Sequence, residues 1–211
     1  MARSLKKLIA AVFCLVLLFE LSSCAVNTKS AEQTGFSMGS LVGIKLYGKN
    51  SEALENANLL AEVVKTDERI SKNYEGSDIY RVNSSGEHGE TVSSETYDEL
   101  RTVCDVYSDS HGKAAVLSGA LTELWGFDTD EFRLPSEDEI LSAKEKCGDD
   151  KLIFDDGKKV YIPDGAKLNL GSAGKGIALD EAVKKIDEIN SQGGKINGRD
   201  AIKLAKYLAA Y

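Results

Sequence analysis

Apolar residues recur along this chain at two spacings, and the switches between them mark its elements. Residues 41–47 (LVGIKLY) alternate well enough for a strand. From Ser51 the period lengthens, and Ala53, Leu54, Ala57, Leu60, Ala61 and Val64 recur at helical spacing. Residues 91–94 lead into a second helical stripe of Tyr97, Leu100, Val103, Cys104 and Tyr107, with Ser93 or Ser94 as N-cap. Ser136 opens a third helix, in which Glu139 stands at capping-box spacing and Ile140, Leu141 and Ala143 follow. Short runs at 151–154 and 158–162 flank Asp156-Gly157, a strong hairpin signal. Ala178, Leu179, Ala182, Val183 and Ile186 make a last amphipathic helix. Residues 77–83 are too short to assign, and 112–121 read as a loop of small residues leading to 121–127. Strands and helices alternate without the long βαβ rhythm of a doubly wound sheet. The expected class is α+β, a mixed or antiparallel sheet flanked by helices.

The first residues do not belong to that pattern. Arg3, Lys6 and Lys7 precede a short apolar run at 8–19, too short to span a bilayer comfortably, and Leu21-Ser22-Ser23-Cys24 resembles a lipobox. The reading is a lipoprotein signal peptide at 1–23, a polar tether at 24–35, and Cys24 carrying a palmitate-type lipid at the mature N-terminus. A non-lipidated signal with an incidental cysteine is the alternative. Either places the protein outside the cytoplasmic membrane of a bacterium, and lipidation would hold it on the extracytoplasmic face. The net charge of −8 falls to −10 without the leader and disfavours nucleic acid as a partner. Cys104 and Cys147 remain in the body of the chain. They could pair, but Cys104 falls on an apolar stripe, which suits a buried thiol. His88 and His111 sit in no recognisable nucleophile–base arrangement.

The stretch with most chemistry is LNLGSAGKGIALD, residues 168–180. A Walker-type loop fails because Asn169 stands where its first glycine belongs and Gly176 where its Ser/Thr belongs. The dinucleotide glycine pattern fails on spacing, with glycines at 171, 174 and 176. What remains is general: glycines admit an anion to backbone N–H groups, Lys175 adds positive charge, and a helix from Gly176 points its positive end at the turn. A tight strand-to-helix connection with no ligand fits equally well.

The order of landmarks adds to this. FSMGS at 36–40 precedes a strand and a long helix; SDIYRVN follows at 77–83, then Gly112, a segment with the single Trp at 121–127, Pro135-Ser136, a hairpin, and LNLGSAGKGIALD. That order resembles the FAD:protein FMN transferases, the ApbE-like bacterial lipoproteins, over residues 36–189, or the first half to two-thirds of a family member. The resemblance implies a truncated ApbE-like (T-fold-like) domain at 36–188. It implies FAD as substrate, Mg²⁺ at its pyrophosphate, and transfer of FMN to a threonine or serine hydroxyl of an acceptor protein. By position, Met38 and Tyr74 match flavin contacts, although Tyr74 would serve as well as a loop aromatic packed on the core. Asn169 stands for a family aspartate, Ser172 for a carbonyl of the metal site, and Lys175 for the lysine near the phosphates. Asp180 matches an acid of the next helix or serves its dipole. The cofactor loop, approximately Gly-Ala-Phe-Asp-x-Thr in the family, falls on Gly112-Lys113-Ala114-Ala115-Val116-Leu117 and lacks the Phe, Asp and Thr.

Residues 189–211 resemble half a dockerin repeat, a calcium loop plus helix. Gly194, Ile196, Asn197 and Asp200 fit the loop, whereas Ile189 and Gly193 stand where ligands belong. A polar loop before an amphipathic helix is the other reading. The functional expectation is an FMN transferase-like protein; the alternative is a non-catalytic surface lipoprotein that binds a protein partner or flavin only.

Overall fold

The computed structural model describes residues 29–48, 57–127, 129, 131–193 and 196. The leader, Cys24, the first half of the expected Ser51 helix, Gly194, Asn197, Asp200 and the tail helix lie outside the described residues.

Strands β1 (Lys29–Ser37) and β2 (Ser40–Gly48) form an antiparallel hairpin whose register pairs Ser37 with Ser40 and Phe36 with Leu41. Residues 29–35, expected in the tether, are thus part of the fold. Their inward positions are Ala31, Gln33 and Gly35, small or polar groups that give no apolar alternation to read. At Gly35 a Cβ would stand 2.7 Å from Leu60 Cδ2, so Leu60 would have to shift to admit a side chain, and Gln33 Oε1 accepts the Leu60 N–H at 3.0 Å. β2 turns Val42, Ile44 and Leu46 inward, as its alternation predicts.

Among the described residues helix α1 (Leu59–Ile70) follows a turn at Ala57 and Asn58, the latter at φ 39°. Its buried face is Leu59, Val63, Thr66 and Ile70, one step off the expected stripe, and Ala61 is exposed. Helix α2 (Asp78–Ser85) resolves the unassigned stretch; the Ser77 side chain accepts the Tyr80 N–H at 2.8 Å and caps it. Helix α3 (Ser94–Asp109) is capped by Ser93, and Leu100 is its buried anchor. Helix α4 (Gly119–Leu124) replaces the end of the expected loop, and α5 (Glu137–Lys144) carries the anticipated capping box. Strands β3 (Glu90–Thr91), β4 (Ile153–Phe154) and β5 (Lys159–Tyr161) form a second antiparallel sheet of order β3-β5-β4. Helix α6 (Gly174–Ser191) closes the described fold, an α+β arrangement of two small antiparallel sheets and packed helices.

Two apolar clusters hold it together. One joins β2, α1 and α6 through Ile44, Val63, Ala178, Ala182 and Ile186. The other joins α2, α3, the second sheet and residues 162–170 through Ile79, Leu100, Val160 and Leu168. Met38 packs against both, so the hairpin tip sits at their junction.

Candidate functional site

At that junction a cleft of about 260 Å³ opens between the hairpin tip, the end of α1 and the start of α6. Met38, Asn169 and Lys175, three of the residues singled out in the sequence, line it together.

The first wall is the two-residue turn Met38-Gly39, with φ 51° and 68°. Two-residue hairpins favour positive φ at both positions, which suits Asn and Gly far better than Met. Asp67 of α1 supports the turn: its Oδ2 accepts the Met38 N–H at 2.6 Å and the Ser37 hydroxyl at 2.9 Å. Asp67 lines the cleft as well, and nothing local in the sequence singles it out. The chain then leaves α1 through Ser71, Lys72 and Asn73, which form the floor; the Ser77 hydroxyl donates to the Ser71 carbonyl and fixes this exit.

The opposite wall is the turn after Leu168. Asn83 pins its approach, accepting the Leu168 N–H at 2.7 Å and donating to the Leu168 carbonyl at 2.9 Å. Asn169 is held on three sides. Its N–H donates to the Val116 carbonyl at 2.8 Å, its Oδ1 accepts the Gly171 N–H at 2.9 Å, and its Nδ2 donates to Thr122 Oγ1 at 3.1 Å. The side-chain acceptor therefore shapes a 3₁₀ turn over Leu170–Ser172, and the chain enters α6 at Gly174, not Gly176. A Cβ on Gly174 would stand 3.3 Å from Ile70 Cδ1, so its absence lets α6 close on α1. No side chain caps α6, and its first turn carries no acid, which leaves its N-terminal N–H groups available at the cleft. Lys175 is half-buried there and has no acidic partner among the described residues. With Lys175 and the first N–H groups of α6 on the lining, this wall of the cleft suits an anion.

Other expected residues fall elsewhere. Tyr74 is 54% exposed in the turn after Asn73 and does not line the cleft. Lys113 and Ala114 are exposed and Ala115 half-buried on a loop that meets the site at the Val116 carbonyl. That loop is anchored by buried Asp149, whose carboxylate accepts from Val116 N at 3.0 Å and Leu117 N at 2.6 Å. Burial pushes the Asp149 carboxyl above its usual range, against the pull of those two N–H groups. Ser172 is exposed and outside the cleft lining. Asp180 lies past the first turn of α6, too far in to serve the dipole, and lines a separate groove with Glu99 and Glu181. Among the described residues no three His, Cys, Asp or Glu side chains are grouped to hold a metal. Cys104 and Cys147 are unpaired thiols; burial pushes Cys104 up to about 11, and its Sγ donates to the Asp149 carbonyl at 3.6 Å.

The model of the ApbE family matches residues 38–202, which runs past Ile189 into the stretch read as a calcium loop. A Haemophilus influenzae protein described as FAD:protein FMN transferase is 22% identical over 92% of this chain and 62% of its own length. The crystal structure of the ApbE protein from Thermotoga maritima superposes with TM-score 0.71 at 27% identity, over 77% of this chain and 54% of that one. The apo flavinyl transferase ApbE from Pseudomonas stutzeri shares the fold, with TM-score 0.66 at 24% identity over 78% of this chain and 52% of its own. The chain thus spans little more than half the length of the solved relatives.

Proposed function

The chain belongs to the ApbE family, and on that premise we propose that it acts as a FAD:protein FMN transferase-like protein. The observation that carries the reading is the convergence of Met38, Lys175 and the uncapped start of α6 on one cleft. The pyrophosphate of FAD sits against the first N–H groups of α6 with Lys175 as its counter-charge, and the flavin end lies toward Met38. An acceptor threonine or serine oxygen attacks the phosphorus of the FMN half. One P–O bond forms and the pyrophosphate bridge breaks, AMP leaves, and the hydroxyl proton passes to solvent. The groups named here bind and orient FAD and offset charge on the phosphates.

Mg²⁺ belongs to the same reading, but the described residues alone do not fit it. Ser172 offers one carbonyl, and an octahedral cation needs about six oxygens. Lipid attachment at Cys24 would hold the domain on the extracytoplasmic membrane face, near acceptor proteins of that compartment. Detergent-phase partitioning lost on Cys24→Ala supports this, and unchanged partitioning refutes it.

The purified chain mixed with FAD should retain flavin absorbance after desalting, and a fluorescent flavin band should appear on an acceptor protein with an exposed threonine. Absence of FAD uptake would remove the proposal. The second reading, flavin binding without transfer, is favoured by the described residues grouping no three His, Cys, Asp or Glu side chains to hold a metal at the phosphates. Uptake of FAD with no labelled acceptor would select it.

A further inference from the structure

We propose that Asp67 is a positioning residue of the cleft: its carboxylate holds Met38 in a left-handed backbone conformation and so fixes where the hairpin tip stands opposite the Asn169–Lys175 turn. The inference rests on reading the cleft as a FAD site.

A methionine at φ 51° is in a region that L side chains with a long Cβ substituent avoid. The turn nevertheless keeps Met there, with its half-buried side chain packed against both apolar clusters. The ladder that pairs Ser37 with Ser40 closes the turn, and a support from outside the hairpin adds to it. Within the hairpin, the only side-chain bond at the tip is the Ser40 hydroxyl to the Ser37 carbonyl at 3.4 Å, which is weak among the described contacts. Asp67 supplies the rest from α1, thirty residues away in sequence, through the Met38 N–H and the Ser37 hydroxyl. Both bonds are to one carboxylate oxygen, and bonds to an ionised acceptor are the stronger kind. Asp67 has no ion-pair partner among the described residues, so the turn is what engages its charge. The same residue lies one helical turn before Ser71, whose N–H bonds the Asp67 carbonyl at 2.9 Å. One residue thus links the tip, α1 and the cleft floor.

The test uses the full chain with Asp67→Ala and Asp67→Asn, each also in a Met38→Asn background, because asparagine accepts positive φ. Two readouts are taken: hydrogen exchange at the Met38 amide without ligand, and FAD affinity by flavin fluorescence. Asp67→Ala should speed Met38 exchange and weaken FAD binding, each about tenfold, with Asp67→Asn about threefold as the partial rescue. In the Met38→Asn background the loss of FAD affinity on Asp67→Ala should shrink to about twofold. If Asp67→Ala fails to fold, Asp67→Asn carries both readouts. Unchanged Met38 exchange, or an equal FAD loss in both backgrounds, overturns the proposal. A wild-type chain that takes up no FAD while Met38 exchange still responds to Asp67 overturns the FAD reading and leaves the positioning intact.

Discussion

Lys175 stands half-buried at the start of an uncapped helix, which sets what its removal should do. A charge-assisted bond to a phosphate in such a place is worth about 1–2 kcal/mol, so Lys175→Gln should weaken FAD binding about five- to thirtyfold with little change in Tm. Titration of flavin fluorescence checks this, and a loss of stability equal to the loss of affinity would assign Lys175 to structure instead. Asn169 behaves in the opposite way, since its side-chain atoms are occupied by the protein. Asn169→Ala strips the acceptor from Gly171 N and the donor from Thr122 Oγ1, and should cost about 1–3 kcal/mol in urea unfolding. Asn169→Asp, which restores the acid that the resemblance implies at this position, keeps the acceptor and loses the donor. Thr122 must then turn its hydroxyl away from the Gly119 carbonyl, 2.9 Å away, to reach the new carboxylate, at about 1 kcal/mol.

Between elements, buried Asp78 ties the start of α2 to the cap of α3. Its Oδ2 accepts the Ser93 N–H at 3.0 Å and the Ser93 hydroxyl at 2.6 Å, while Oδ1 meets Arg81 at 2.6 Å. Burial opposes its ionisation, but the bonds from Ser93 and Thr96 and the Arg81 contact outweigh it and hold the carboxyl below its usual range. A folded-state pKa below the unfolded value of about 3.9 gives stability that is present above that pH and lost as pH falls through the folded value. Asp78→Asn should therefore lower stability near neutrality by about 2 kcal/mol and flatten the acid limb of a Tm-versus-pH curve; an unaltered acid limb would show that other carboxylates set it. The joint was hidden in the sequence because its partners lie fifteen residues apart with no periodic signature. The capping box at Ser136 and the Asp156-Gly157 hairpin were legible because each is a local pattern, completed within a few residues. β1 was illegible for the reverse reason: Ala31, Gln33 and Gly35 face inward, so the strand has no apolar alternation. Within the site, the Lys175 turn announced itself through glycines and charge, whereas Asp67 and Asn83 act across long sequence separations that no spacing reveals.

For the molecule as a whole, the cleft depends on how closely α6 approaches α1, since one supplies the anion-facing N–H groups and the other the floor. Small residues set that distance. Ala178 and Ala182 are fully buried in the cluster shared by α1, α6 and β2, and Gly174 admits Ile70 at the end of the same interface. Overpacking and underpacking of this one seam should therefore have different consequences. Ala182→Leu adds volume with nowhere to go, forces the helices apart, and should cost about 1–3 kcal/mol. Because the displaced helix carries Gly174 and Lys175, FAD affinity should fall with stability. Ile186→Val, in the same cluster but nearer the far end of α6, removes one methylene and leaves the spacing intact. It should cost about 0.5–1.5 kcal/mol with FAD affinity unchanged. Urea midpoints and flavin titrations on both variants separate the two effects. Equal FAD affinity in Ala182→Leu and the wild type would show that the cleft is set by its turns alone, and that the α1–α6 seam serves only to keep the fold together.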